Sequence, residues 1–235
     1  MGQEFDYQWK NLPSSAIEYD DQRIREFLNF TKLDPVQTIR QKYCLDAGCG
    51  NGRYTYAMQK LGAMRVDSFD VSTEAITKCK SVNPNAKVMD LVESKKELYP
   101  VYEFVLCWGV LNHIQNAREG FALISRLIRP DGGYLHIMVY NKIDQFQYEE
   151  DRKVWPTLSP EEKLRLCEER AKTKGGNVHG WWDALNPKYN HGFSPEEVKK
   201  WFIEEGFRDI KITSEHNINI NGKKGNPKKL DYGLF

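Results

Sequence analysis

The sequence is poor in the signals that mark secreted, metal-stapled or membrane proteins. Its 235 residues contain only five cysteines, Cys44, Cys49, Cys79, Cys107 and Cys167, with no C-x-x-C pair. That odd, scattered set argues against a zinc site or a disulfide framework and for a reducing compartment. Long apolar runs are missing too. The longest, Phe104 to Leu111, falls far short of a membrane span. The opening Met1-Gly2-Gln3-Glu4-Phe5-Asp6 has no cationic stretch followed by an apolar one, and Asp6 stands where a myristoylation signal needs Ser or Thr. The expectation is a cytoplasmic protein with no membrane partner. Charge of one sign is also absent. With 34 Lys+Arg against 33 Asp+Glu, the net charge of +1 implies neither a nucleic-acid partner nor an acidic ligand. The basic tail, Lys223, Lys224, Lys228 and Lys229, reads as a solvated terminus.

What is present is an ordinary globular mixture, 40% apolar and 29% charged, enough for a full core. Near-helical spacing of Ile17, Ile24, Phe27, Leu28 and Phe30 predicts a helix over 14–31. Strands and helices then alternate. Strands are expected at 43–47, 66–69, 86–89, 103–108 and 134–140. Helices are expected at 53–61, closed by Gly62, at 73–81, capped by Ser72, and at 121–128, after the capping pattern Asn116/Glu119. This rhythm argues for a parallel, doubly wound α/β sheet, whose ligands bind outside the carboxyl ends of the strands. Those ends carry Asp46, Asp70, Asp90 and Trp108-Gly109. Residues 141–192 break the rhythm and read as an insertion over the ligand face. They hold a charged helix opened by Ser159-Pro160-Glu161-Glu162 and stopped by Gly175-Gly176, then a stretch dense in Trp, Tyr, His, Asn and Pro. Ser194-Pro195-Glu196-Glu197 opens another helix, and strand-like runs at 208–213 and 216–220 are expected to pair antiparallel. The expected division is an N-terminal helical segment (1–39), a ligand-binding core (40–140), the insertion (141–192) and a C-terminal helix and strand pair (193–235).

The most informative segment is Leu45-Asp46-Ala47-Gly48-Cys49-Gly50-Asn51-Gly52-Arg53. Glycines there allow positive φ and close approach of a ligand to the backbone. A dinucleotide loop would read G-x-G-x-x-G/A, but Arg53 occupies the third small position. Asp46 would repel a phosphate and suits the ammonium of an amino-acid ligand. Asp70, 24 residues on, can accept both ribose hydroxyls, and Asp90, 20 further, is within reach of an adenine amino group.

L-D-A-G-C-G-N-G-R, F-D-V-S at 69–72, M-D-L at 89–91, W-G-V-L-N-H-I at 108–114 and R-P-D-G-G-Y-L at 129–135 together resemble the ordered signature of class I S-adenosylmethionine (SAM)-dependent methyltransferases. The remainder, including Phe5-x-Tyr7-Gln8-Trp9, V-Y-N-K after the fifth strand and D-A-L-N-P-K-Y-N-H-G-F-S-P-E-E-V at 183–198, resembles a type 11-like subgroup presumed to act on small molecules. The resemblance implies a Rossmann-like, mostly parallel seven-stranded sheet with an insertion after strand 5. It implies SAM as cofactor. Asp46, Gly48 and Gly50 would hold the methionine part, with Cys49 also among the cofactor-binding positions. Asp70 would bind the ribose, Val71, Asp90 and Leu91 would flank the adenine, and Trp108 and Gly109 would lie beside the sulfonium. One departure is Asn112-His113 where many relatives have His-His.

A hydroxyl or ammonium acceptor must lose a proton, so a base is sought near the acceptor. His113, after the fourth strand, and His191 are candidates, with Asp183 and Tyr189 as orienting groups. The [DN]-P-P-[YF] platform of nucleic-acid amino-methylases is absent, and so is an acidic cluster for a hard cation. The expectation is a metal-free reaction that methylates a hydroxyl, or failing that an amine, of a small molecule, with no nucleic-acid partner. Two alternatives stay open. One is an NAD-dependent oxidoreductase, against which Arg53 speaks. The other is a non-catalytic SAM-binding or scaffold protein, for which the Asn at position 112 leaves room.

Overall fold

A computed structural model describes residues 2–12, 19–92 and 101–225. Seven strands form one sheet: β1 (Tyr43–Ala47), β2 (Arg65–Asp70), β3 (Lys87–Val88), β4 (Phe104–Trp108), β5 (Tyr134–Val139), β6 (Phe207–Ser214) and β7 (Ile218–Lys224), in the order β3-β2-β1-β4-β5-β7-β6. β1 to β5 run parallel, and β7 inserts antiparallel between β5 and β6. Residues 44–47 of β1 are buried on both faces, as expected of a central parallel strand. The strand order reverses between β1 and β4, which opens a crevice at their carboxyl ends.

Helices cover both faces. On one, α2 (Asp21–Thr31) and α4 (Arg53–Lys60) bury Phe27, Tyr54 and Met58 against Phe104 and Leu106. On the other, α6 (Ala117–Leu127) and α10 (Pro195–Glu204) bury Phe121, Ile124 and Phe202 against Val105, Leu135 and Ile137. A short α3 (Pro35–Thr38) precedes β1. The caps form as the sequence suggests. Ser72 accepts from Ala75 N–H at the start of α5 (Thr73–Cys79), and Asn116 accepts from Glu119 N–H. Each such cap contributes about 1 kcal/mol. Between β5 and α10, α7 (Glu149–Val154), α8 (Pro160–Lys174) with a complete Ser159/Glu162 capping box, and α9 (Val178–Leu185) build a separate apolar cluster around Trp155, Trp181 and Trp182.

The helices depart from the sequence expectation in two ways. The helix expected over 14–31 starts at Asp21, where Asp20 caps it, and its residues 14–18 lie outside the described set. An additional helix, α1 (Gln3–Asn11), and α9 were not anticipated. Both are too short to show a clear apolar period, and tertiary packing holds them: Tyr7 of α1 stacks on Trp182 of α9 at 4.6 Å. Among the described residues no helix is long and apolar enough to cross a membrane.

Candidate active site

β1 runs into the glycine turn as its sequence demands. Gly48, Gly50 and Gly52 have φ of 77°, 52° and 89°, values that side-chain-bearing residues rarely adopt. The N–H groups of Gly48 and Cys49 both donate to Phe69 O, tying the turn to the end of β2. There Asp70 accepts from Gly50 N–H at 2.8 Å and from Ser72 N–H at 2.9 Å. Burial pushes its carboxyl up to about 6, against these hydrogen bonds.

A cavity of about 880 Å³ opens at this edge of the sheet. Gly48, Asp70, Val71, Asp90 and Leu91 line one side of it. Trp108, Gly109, His113 and Asp183 line the far side. Gly109 turns the chain at φ 69°, and the Trp108 ring packs on Phe30 at 3.8 Å. Asp90 accepts from Val92 N–H at 2.7 Å, in a turn beyond the two-residue β3 rather than at a strand end.

Asp46, Cys49 and Gly50 do not line the cavity. The Asp46 carboxylate points inward and accepts from Thr55 Oγ1 at 2.7 Å, and Thr55 in turn meets Ser68 Oγ at 2.9 Å. Burial raises it to about 7. Strand alternation decides this: Asp46 lies on the α4 face of β1, not at its tip. Cys49 faces Cys79, Sγ to Sγ 3.6 Å, within an apolar cluster with Ile76 and Ala86. Gly50 is covered by Trp9 of α1, whose ring would come within 2.6 Å of a Cβ there.

The far side is organised around Asp183 of α9. Its Oδ2 accepts from His113 Nε2 at 3.3 Å and from Tyr140 Oη, and its Oδ1 accepts from Gln8 Nε2 at 3.1 Å. His113 Nδ1 meets Tyr189 O at 3.0 Å. Both partners of the imidazole are acceptors, so both of its nitrogens serve as donors and the ring is cationic. Burial pulls the other way, but the Asp183 carboxylate and these hydrogen bonds hold the His113 pKa above its ordinary value. Burial likewise opposes the Asp183 charge. His113, His179 and Tyr140 outweigh it and hold the carboxyl well below the usual range. His113 in this arrangement has no lone pair to offer as a base.

Tyr189 and His191 do not line the cavity either. Their segment is clamped by main chain. His191 N–H donates to Asn112 O at 2.9 Å, and Asn112 Nδ2 donates to His191 O at 2.9 Å. The side chains of Tyr189 and His191, two residues apart, stack with ring centroids 6.0 Å apart. Asn112, at the place of the missing histidine, thus fixes the loop that supplies Tyr189 O to His113.

Gln8, Tyr140 and His179 join the site without having been singled out as functional. Gln8 and Tyr140 lie within Phe5-x-Tyr7-Gln8-Trp9 and V-Y-N-K, and a glutamine on one face of a Trp/Tyr/Phe-rich segment is the available signal. His179 carried none beyond the local density of aromatic residues.

A family model described as a methyltransferase domain matches residues 17–212. The chain belongs to the class I SAM-dependent methyltransferases. Among relatives of this methyltransferase, a tRNA U34 carboxymethyltransferase of Campylobacter fetus is 24% identical over 225 residues, covering 89% of this chain and 76% of that protein. A ubiquinone biosynthesis O-methyltransferase of Photorhabdus laumondii is 26% identical over 159 residues, covering 55% and 65%. The chain spans 39% of the length of a tRNA U34 carboxymethyltransferase of Campylobacter hominis and 45% of that of a mitochondrial ubiquinone biosynthesis O-methyltransferase of Schizosaccharomyces pombe. The solved magnesium protoporphyrin IX methyltransferase of Synechocystis PCC 6803, with bound SAM, shares the fold with a TM-score of 0.55 at 15% identity, covering 94% of this chain and 93% of that one.

Proposed function

We propose that this methyltransferase transfers a methyl group from SAM to a hydroxyl of a small organic molecule. One observation carries the reading: a single cavity of about 880 Å³ runs from the open glycine turn and Asp70 to the Asp183–His113–Tyr140 cluster. That volume lies within the range of sites for a cofactor-sized ligand. The residues fit SAM. Asp70, ionised near neutral pH, accepts the ribose hydroxyls, Val71, Asp90 and Leu91 flank the adenine, and Trp108 and Gly109 bound the reacting end. Bound SAM supplies an activated methyl group on a cationic sulfur.

The acceptor hydroxyl sits against Asp183, which takes up its hydrogen and turns an oxygen lone pair toward the methyl group. Holding the two in line supplies much of the acceleration. The hydroxyl proton becomes far more acidic as the oxygen gains the methyl group. A carboxylate with a depressed pKa therefore suffices as its acceptor, and His113 and Tyr140 act by fixing that carboxylate. This moves the base from His113, as the sequence suggested, to Asp183. The near-zero net charge supports a small acceptor over a polyanion.

Calorimetric titration with SAM and with S-adenosylhomocysteine (SAH) tests the cofactor reading, with micromolar or tighter binding expected and no binding of either compound overturning it. Transfer of labelled methyl groups into fractionated extracts tests the acceptor. Label in the small-molecule fraction is expected. A second reading, a tRNA acceptor, is favoured by the near full-length similarity to the Campylobacter fetus protein. Label confined to RNA would establish it instead.

A further inference from the structure

We infer that Gln8 of α1 and His179 of α9 hold the amino-acid end of SAM, the task from which Asp46 is turned away. The inference rests on the reading that this cavity binds SAM.

Gln8 is only 1% exposed. Its Nε2 reaches both Asp183 Oδ1, at 3.1 Å, and His179 Nε2, at 3.3 Å. Asp183 can only accept, which fixes the orientation of the amide, and both of its hydrogens are used. Gln8 Oε1 is left buried and without a partner. Because His179 Nε2 receives a hydrogen from Gln8, the ring's own proton resides on Nδ1, and that atom too is buried and unpartnered. Burial pushes His179 down to about 4, so the ring is neutral near pH 7. An unsatisfied buried donor or acceptor costs about 1–3 kcal/mol. Here one of each occurs on adjacent side chains in one cavity wall, an arrangement completed by a ligand that brings both an N–H donor and an oxygen acceptor.

The position matches the methionine end. Trp9, next to Gln8, lies over Gly50, and its ring centroid is 4.6 Å from that of His179. Trp9 O accepts from the Lys78 ammonium. Arg53, immediately after the glycine turn, also lines the cavity, and the charges of Arg53 and Lys78 both reach His179. An α-amino acid presents an ammonium and a carboxylate. Gln8 Oε1 accepts from the ammonium, while His179 Nδ1–H and the Arg53 guanidinium donate to the carboxylate. Asp46, bound to Thr55 behind the turn, takes no part.

The test compares SAH with 5′-methylthioadenosine, which keeps the nucleoside and the thioether but lacks the amino-acid end. Gln8→Leu and His179→Phe are each expected to weaken SAH binding roughly tenfold or more, the equivalent of one hydrogen bond to a charged group. Binding of methylthioadenosine should stay within about twofold, and the same measurement reports that the variants are folded. His179→Phe leaves the Gln8–Asp183 bond intact, so it decides the matter should Gln8→Leu fold poorly. Equal losses for both ligands, or no loss for either, overturn the inference while SAH binding by the unmodified protein keeps the cofactor reading. Failure of the unmodified protein to bind SAH overturns both.

Discussion

The two sides of the cavity are built in different ways. One wall comes from consecutive strand ends and turns, with Gly48, Asp70 and Asp90 within 43 residues of chain. Its bonds are mostly backbone N–H to carboxylate or carbonyl, such as Gly50 and Ser72 to Asp70. The far wall gathers residues from four distant segments, Gln8, His113, Tyr140 and Asp183, the first and last separated by 175 positions. Side chains there bond chiefly to side chains. The contrast teaches that a local turn can be preformed by its own glycines, whereas the wall around Asp183 exists only once α1 and α9 have packed together.

The largest effect that would expose this contrast is on turnover. Asp183→Ala is expected to lower kcat by about 100-fold or more, the range for losing a positioned proton acceptor, with SAH affinity changed only a few-fold. A comparable loss of SAH affinity would break the division between the walls. Next, Asp70→Ala should weaken SAH binding by roughly 100-fold, as two hydrogen bonds to a charged group are lost, without abolishing folding. Calorimetry checks it, and unchanged affinity would remove Asp70 from the site.

The pH dependence sharpens the same point. The Asp70 carboxyl, raised to about 6 by burial, must be ionised to accept ribose hydroxyls. Affinity for SAH should therefore be full at pH 7.5 and fall as pH drops through 6, by about tenfold near pH 5. Asp70→Asn should flatten that dependence. The smallest effect concerns Asp46. Its folded pKa of about 7 lies above the value of about 3.9 for an unfolded chain, so folding retains a proton between the two. Stability from this group is full near pH 4 and is lost as pH rises through 7. Asp46→Asn, which can still accept from Thr55, is expected to reduce the drop in Tm between pH 5 and 8 by several degrees. Parallel declines in both proteins would point to other groups.

The same division governs what could be read in advance. Glycine spacing, Ser72 and Asn116 caps and apolar strands revealed the parallel sheet and its order of elements, because each signal acts over a few residues. The inward turn of Asp46 did not emerge, since the acid before a glycine turn reads alike whether it faces α4 or a ligand. His191 and Tyr189 drew attention as side chains, yet Asn112 holds their backbone. His113 suggested a base by its ordinary titration range, and only two acceptors on opposite ring nitrogens make it a donor.

By itself the amino-acid order determined the alternating fold, the three positive-φ glycines and the carboxylate that ends β2, for these follow from local sterics and hydrogen bonding. Tertiary structure alone decided which side chains surround Asp183 and what charge each carries. Burial and the pairing of donors with acceptors are set by neighbours far apart in the chain, and protonation follows from that surrounding rather than from residue type.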